Sequence, residues 1–540
     1  MRSVIFSSMK IFFSILAVLY SVSLKSQING TEALSIKKNH ADFYHLNIEA
    51  DPYKKHISGK CVMNCMLANY SDTITLGLNS NYNVTKVLGG DEPLNYFRKN
   101  NDILIYLNGL NDKSLMKTIT VYYEGFPKIS KNPPWDGGFV WSKDASGNPF
   151  AGVVCELEGA GIWWPACKNI SHKPDSLLFS ITLPKGLYAV SNGILRSTDT
   201  LKNRVCFNWF NPNPIINYAL TLYIGNYHCF SKALKSSTSN NTMTWYSLNN
   251  NLPEAEMYFT QVDTLLRIFE HYFGAYPFSK IGYKLVEAPY AGMEHQTAIA
   301  IGKQGKSIFR LLGYKTNIGY ILVHETAHEW WGNSISIKSM PDLWINESLA
   351  TYSESLFIEY LFGKEKAVAY INKDLEHLIS NTVPIYDSNK TTYNHDIYMK
   401  GSAVWNTFRS VLHQDSLWFG FLKSITTKYQ FKSISTPELL NYINEYFNTD
   451  FSYFFHQYIY SNEIPVLEIK INKNNSTNFQ IRWTNCNQNF MMPVFYNINS
   501  ETTYIDAVTD WKTFTINNFN TEALSLLQTS YLIKTKISDF

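Results

Sequence analysis

Two imidazoles and two carboxylates form the densest chemical pattern in the chain: His324-Glu325-Thr326-Ala327-His328, then an 18-residue gap, then Glu347. Tyr320 to Trp331 contains no Pro or Gly and carries good helix formers, so the composition predicts a helix there. Positions four apart share one helical face, so both imidazoles can reach one ion. Glu325 is turned aside from that face and is free to act on a water. Gly332-Asn333 reads as a helix stop. Pro341-Asp342 can open a second helix, Ile345 to Leu361, that brings Glu347 to the same ion. Two His and one Glu around tetrahedral Zn2+ leave one position for water, which is the catalytic rather than the structural pattern. A bare H-E-x-x-H arises by chance, and the downstream Glu is what sharpens it. Glu354 lies seven residues past Glu347 on the same face, placed to orient a metal ligand from behind.

Three further stretches carry chemistry that needs a context. Ala291-Gly292-Met293-Glu294-His295 follows a strand-like run, Tyr283 to Glu287. A Gly beside a carboxylate at a strand edge suits close approach to a peptide backbone. Taken alone, Glu294 reads as a surface carboxylate in a turn. Cys155-Glu156-Leu157-Glu158-Gly159 precedes Trp163-Trp164, and its plain reading is a solvated loop with Trp anchors. Tyr398-Met399-Lys400-Gly401 precedes an apolar helical run, Ala403 to Leu412. A phenol beside a metal can donate to a developing oxyanion, although the chain has 36 Tyr and most must simply pack.

The elements that must position these residues follow from pattern. The chain has 540 residues, enough for three or four domains, and 45% hydrophobic content argues against wholesale disorder. The net charge of +3 comes with scattered Lys and Arg, which argues against nucleic acid as a partner. Arg2 and Lys10, the apolar Ile11 to Leu24 and the small residues after it read as a signal peptide over residues 1–26. Export, periplasmic or secreted, is therefore expected, ahead of an uncleaved anchor, with no membrane span in the mature chain. Seven cysteines leave at least one unpaired within the chain. Cys61 and Cys65 share a strand-like run and cannot bond each other.

Short alternating runs predict a mostly antiparallel β domain over 27–235, with strands at Thr73 to Leu78, Ile103 to Leu107, Thr118 to Tyr123, Leu177 to Leu183 and Tyr218 to Ile224. The period turns helical from Glu254 to Phe273 and stays so, giving a domain over 236–462. Past Pro465 the runs Val466 to Ile471, Phe479 to Trp483, Val494 to Asn497 and Leu532 to Lys536 predict a small β domain over 463–540.

Together the motifs resemble the gluzincin aminopeptidases of the aminopeptidase N type, a family that includes the bifunctional leukotriene hydrolase. His-Glu-Trp-Trp-Gly-Asn is close to the family's H-x-W-x-G-N continuation. Gly292-Met293-Glu294-His295 is similar to its G-x-M-E-N exopeptidase motif, and Tyr398-x-Lys400-Gly401 to its Tyr motif. The resemblance spans about Tyr44 to Pro465. It implies an α+β multidomain fold: an N-terminal antiparallel saddle-like β domain, a thermolysin-like, mostly helical catalytic domain, and a small C-terminal β domain.

The resemblance also implies roles. His324, His328 and Glu347 would bind one Zn2+ per chain, Glu325 would act as general base and then proton donor, and Tyr398 would stabilise the oxyanion. Glu294, with Gly292 and Met293 beside it, would bind the free α-amino group of a peptide substrate. Glu156 matches the position of a second amine-binding group. The expected activity is hydrolysis of the N-terminal peptide bond. A thermolysin-like endopeptidase and a catalytically silent peptide-binding protein are the alternatives. His295 stands where the family has Asn, and the chain ends soon after Pro465 in place of a long helical C-terminal domain.

Overall fold

Strict alternation of apolar side chains builds the first unit. Along His40–Asp51 the residues Tyr44, Leu46, Ile48 and Ala50 point inward, and along His56–Met66 so do Ile57, Cys61, Met63 and Cys65. The computed structural model describes residues 40–66, 72–107, 116–235, 241–302, 313–388, 395–471, 478–498, 501–515 and 530–539. The expected signal peptide over 1–26 lies outside the described residues.

These two strands sit at the centre of an eight-stranded sheet, flanked by two four-stranded sheets. The eight-stranded sheet has one parallel pair, His40–Asp51 with Ser176–Pro184. The other pairs of that sheet are antiparallel, as a mostly antiparallel β domain requires. The expected strand Tyr218 to Ile224 is instead a 3-10 turn, Asn217–Ala219, followed by the short strand Tyr223–Gly225. The Asn192 side chain takes over the ladder there. Its amide donates to the Ala219 carbonyl and its oxygen accepts from the Thr221 N–H, each at 2.8 Å. All seven cysteines are free thiols, and Cys61 and Cys65 each face a backbone carbonyl.

The middle unit pairs helices with a five-stranded sheet. Its order is His228–Ala233, Thr242–Ser247, Tyr283–Glu287, Ile299–Ile301, Gly292–Met293. The first of these strands precedes residue 235, so the chain enters the middle unit's sheet before the expected boundary. Helix α1 (Leu252–Phe273) starts at Asn251, whose side chain accepts from the Glu254 N–H, with Pro253 in the first turn. It ends at Gly274, where φ is +90°. Helices α2 (Tyr320–Ala327), α3 (Trp344–Phe362), α4 (Lys364–Leu378), α5 (Met399–Leu412), α6 (Asp415–Lys428), α7 (Thr436–Phe447) and α8 (Ser452–Tyr458) follow. Helix α3 is buried at every position from Trp344 to Ile358, so it is the axis of this unit.

The final unit is a four-stranded sheet built from Val466–Ile471, Asn478–Thr484, Lys512–Thr515 and Lys534–Asp539, with a hairpin of Met492–Ile498 and Glu501–Ala507. The last strand starts two residues later than the sequence pattern predicts. Leu467, Ile469, Phe479, Ile481 and Trp483 join the core of the helical unit instead of forming a separate one. The Tyr458 hydroxyl and Thr407 hydroxyl, on α8 and α5, hold the backbone of Leu532.

Candidate metal centre

The two histidines lie one turn apart at the end of α2. The helix stops at Ala327, short of Trp331, and His328 is its C-cap. The chain leaves through successive turns (Glu329 N–H to the Thr326 carbonyl, Trp331 N–H to the Ala327 carbonyl) and departs at Gly332, where φ is +133°. A 3-10 turn, Met340–Leu343, opened by a reciprocal Ser339–Asp342 capping box, leads directly into α3. This entry puts Glu347 in the first turn of α3.

His324, His328 and Glu347 each offer a ligand atom, and these atoms lie within 4.8 Å of one another. The two imidazole Nε2 atoms are 3.1 Å apart, and each is 3.5 Å from Glu347 Oε2. The opposite ring nitrogens are engaged: His324 Nδ1 with Glu354 Oε1 at 2.8 Å, His328 Nδ1 with the Trp331 carbonyl at 2.8 Å. Both partners are acceptors, so each Nδ1 carries a proton, and each Nε2 offers a lone pair whenever the ring is neutral. Two lone pairs and a carboxylate converging in a buried space call for a shared cation, and this donor set is that of catalytic zinc. Glu354 stands where the helical spacing from Glu347 predicts, and Tyr370 donates to its other oxygen.

The electrostatics agree with a cation between these groups. Burial opposes charge on Glu347, but the imidazoles of His328 and His324 overcome it and hold the carboxyl well below its usual range. Burial likewise opposes charge on His328, yet the Glu347 carboxylate pushes it up to about 9. Glu325 has no such partner. Burial raises it to about 8, with His324 pulling the other way.

Glu325 is given room by Gly292. A Cβ on Gly292 would stand 2.6 Å from Glu325 Oε1 and 2.5 Å from Ile321 Cγ2. Gly292–Met293 is the last strand in its sheet's order and pairs with Ile299–Ile301. Gly401 performs a similar service: a Cβ there would meet Ser348 Cβ at 2.4 Å. The resulting close approach of α5 to α3 brings Tyr398, the N-cap of α5, to the centre. Its ring centroid is 6.1 Å from that of His324. Burial raises the Tyr398 phenol, and Glu347, Glu156 and Glu294 push it further, so it keeps its proton.

Glu156 arrives from the β domain. Oxygens of Glu156, Glu294 and Glu347 lie within 4.8 Å of one another. Oε1 of Glu156 and Oε1 of Glu294 are inaccessible to solvent and lack a hydrogen-bond partner among the described residues. Burial raises both carboxyls, and for Glu156 the charges of Glu294 and Glu347 raise it further. Two buried acids that each leave one oxygen open in this way suit a cationic group. His295 does not face it: the ring is fully buried, with Nδ1 2.7 Å from the Tyr223 hydroxyl in the β domain.

Sequence reasoning missed three residues here. Tyr218 belongs to the turn that was expected to be a strand. Its hydroxyl is buried with no hydrogen-bond partner among the described residues, and burial raises it, with the charges of Glu294, Glu156 and Glu347 raising it further. Glu329 is fully buried and accepts from the Thr297 N–H, the Asn333 amide and the Tyr276 hydroxyl. Asn333, read from sequence only as part of a helix stop and a motif, also donates to the Glu294 carbonyl at 2.7 Å. Lys173 of the β domain donates to the carbonyls of Asn333 and Ser334, each at 3.0 Å, and so ties the two units together behind the site. The only signal for Glu329 was its place in the motif run, and Tyr218 had none.

A short helix bearing two imidazoles, a second helix bearing a carboxylate, and a free glutamate between the imidazoles define a zincin-type metal centre in an α+β multidomain frame. Residues 258–458 match the family model described as the Peptidase family M1 domain. The chain is 24% identical over 203 residues to Probable aminopeptidase 1 of Sulfurisphaera tokodaii, which covers 35% of this chain and 26% of that protein. It is 23% identical over 301 residues to leukotriene A-4 hydrolase of Xenopus laevis, which covers 52% of this chain and 47% of that one. The chain thus spans less than half the length of these curated relatives. A crystal structure of an M1 zinc metallopeptidase variant from Deinococcus radiodurans, bound to a Tyr-Ser-Ala substrate, superposes with a TM-score of 0.66 at 18% identity. That superposition covers 79% of this chain and 95% of the other, and it shows the shared multidomain fold.

Proposed function

We propose that the protein is a zinc-dependent aminopeptidase that hydrolyses the N-terminal peptide bond of peptides. One observation carries the reading: Glu156 and Glu294, each with one buried oxygen that lacks a hydrogen-bond partner among the described residues, bring oxygens within 4.8 Å of Glu347, the third member of the metal-binding triad. A group that binds an ammonium ion is thereby set one residue's length from a group that binds a metal, which counts residues from the N-terminus. Held by His324, His328 and Glu347, one zinc ion would supply Lewis acidity, making water nucleophilic near neutral pH and polarising the scissile carbonyl.

The chain's own residues do the rest. Glu325 takes a proton from the attacking water and passes it to the leaving nitrogen as the C–N bond breaks. Its place beside the imidazoles, with the room that Gly292 leaves for its Oε1, supports that exchange. The Tyr398 hydroxyl donates to the oxygen that gains charge. Glu294 and Glu156 accept from the α-ammonium group, with Gly292 and Met293 presenting an edge strand alongside. Export of the mature chain is proposed on the sequence of residues 2–26 alone. Among the described residues no helix is long and apolar enough to cross a membrane.

A panel of amino-acid amides and short peptides, each with a free and an acetylated N-terminus, tests this reading with chelator and with restored zinc. Cleavage of free-amine substrates alone is expected, abolished by Glu294→Ala more than by loss of any surface carboxylate. Internal cleavage of acetylated peptides would point to a thermolysin-like endopeptidase instead. Tight binding without turnover would point to a peptide-binding protein.

A further inference from the structure

Among the exposed aromatic side chains of the β domain, Trp135 is connected to the metal centre through successive ring contacts. Trp135 is 53% exposed, whereas Glu294 at the closed end is 4% exposed. Trp135 is not on a floppy loop. Asp136 beside it accepts from the Lys131 and Asn132 N–H groups, each at 2.7 Å, and from the Ser130 hydroxyl. Glu158, two residues from Glu156, accepts from Lys128 and from the Gly137 N–H at 3.1 Å, so the Trp135 turn is fastened to the segment that carries Glu156.

Across the cleft, the Trp135 ring meets His395 edge-on with centroids 6.3 Å apart. His395 in turn is 6.4 Å from the Tyr398 ring, which is 6.1 Å from His324. Tyr398 N–H donates to the His395 carbonyl at 3.0 Å, and the neighbouring Asp396 accepts from the Ser380 and Asn381 N–H groups, so this side is also fixed. A file of rings therefore leads from the metal centre outward to an exposed, preorganised tryptophan.

We infer that Trp135 and His395 form an aromatic lip that contacts the second residue of the peptide, the one that leaves with the new amine. This rests on the aminopeptidase reading above. With the α-amino group at the buried acids and the scissile carbonyl beneath Tyr398, the remaining chain runs toward the open end, where these rings stand. An aromatic face there favours an apolar or aromatic second side chain, and rigid presentation keeps the ordering cost low.

The test compares Leu-Phe with leucinamide, whose leaving group is only ammonia. In Trp135→Ala the ratio of kcat/KM for Leu-Phe to that for leucinamide should fall roughly five- to tenfold through KM, in line with a single aromatic contact. Trp135→Phe should recover most of it. An unchanged ratio, whether both substrates suffer equally or neither does, overturns the lip. If the wild-type protein cleaves neither substrate, the function proposed above fails. Calorimetric binding of Leu-Phe against leucinamide to zinc-loaded Glu325→Gln and Glu325→Gln/Trp135→Ala proteins then still decides the lip by the same ratio.

Discussion

The carboxylate of Glu354 lies 2.8 Å from Nδ1 of His324 and is itself held by Tyr370. This contact fixes the tautomer that turns the His324 Nε2 lone pair toward His328 and Glu347. Glu354→Ala should therefore weaken zinc affinity about 10- to 100-fold, the usual cost of removing such a partner. Competition against a chelator of known affinity measures it. An unchanged affinity would show that the imidazole is oriented without Glu354.

Glu325 sits between the two ligands in sequence but makes no ion pair with either imidazole. Glu325→Gln should keep zinc at one equivalent per chain while kcat falls about 10²- to 10⁴-fold, the range of a general base. Metal analysis and steady-state kinetics on the same sample separate the two effects. Substantial remaining turnover would refute the base assignment.

Gly292 is the residue that lets Glu325 lie against the edge strand. In Gly292→Ala the added methyl would sit 2.6 Å from Glu325 Oε1, and the carboxylate must move. We expect kcat to drop by about 100-fold, as ångström-scale misplacement does elsewhere, with zinc content retained. A fully active Gly292→Ala enzyme would mean that Glu325 works from another rotamer.

His295 gives a pH-dependent signature that is separate from the chemistry. Burial lowers its pKa to about 3, against 6.5 for an exposed ring. Below pH 6.5 the unfolded chain takes up a proton that the folded chain refuses, so stability falls as pH drops from 6.5 toward 3. His295→Asn removes that loss. Its stability relative to wild type should rise by up to about 2 kcal/mol between pH 7 and pH 5, at about 1.36 kcal/mol per unit. Urea unfolding at the two pH values measures the difference; parallel losses in both proteins would show that His295 becomes protonated while folded.

What could be read in the sequence was local and periodic. The helical repeat placed His324 and His328 on one face and Glu354 on the face of Glu347, and the strand-like run Tyr283–Glu287 forms a strand with those bounds. Fixed offsets of four and seven residues are enough for this, because the backbone alone decides which side chains share a face. The convergence of His324, His328 and Glu347 was legible for the same reason, since the first two sit one turn apart at one helix end and the third lies in the first turn of the next helix.

Only the tertiary structure decided what meets that triad. Glu156 is more than a hundred residues from Glu294 in the chain, and only the family resemblance, not any local pattern, linked the two. Their encounter depends on how the β domain seats against the helical unit, a seating held by groups such as Lys173 on the Asn333 and Ser334 carbonyls. The same packing turned Tyr218 into a site residue through an Asn192 side-chain ladder where alternation predicted a strand. It also set Trp135 against His395, and put His295 against Tyr223 rather than in the cleft. Close packing between separate elements has no sequence period, so these relationships become visible only when the surfaces are in contact.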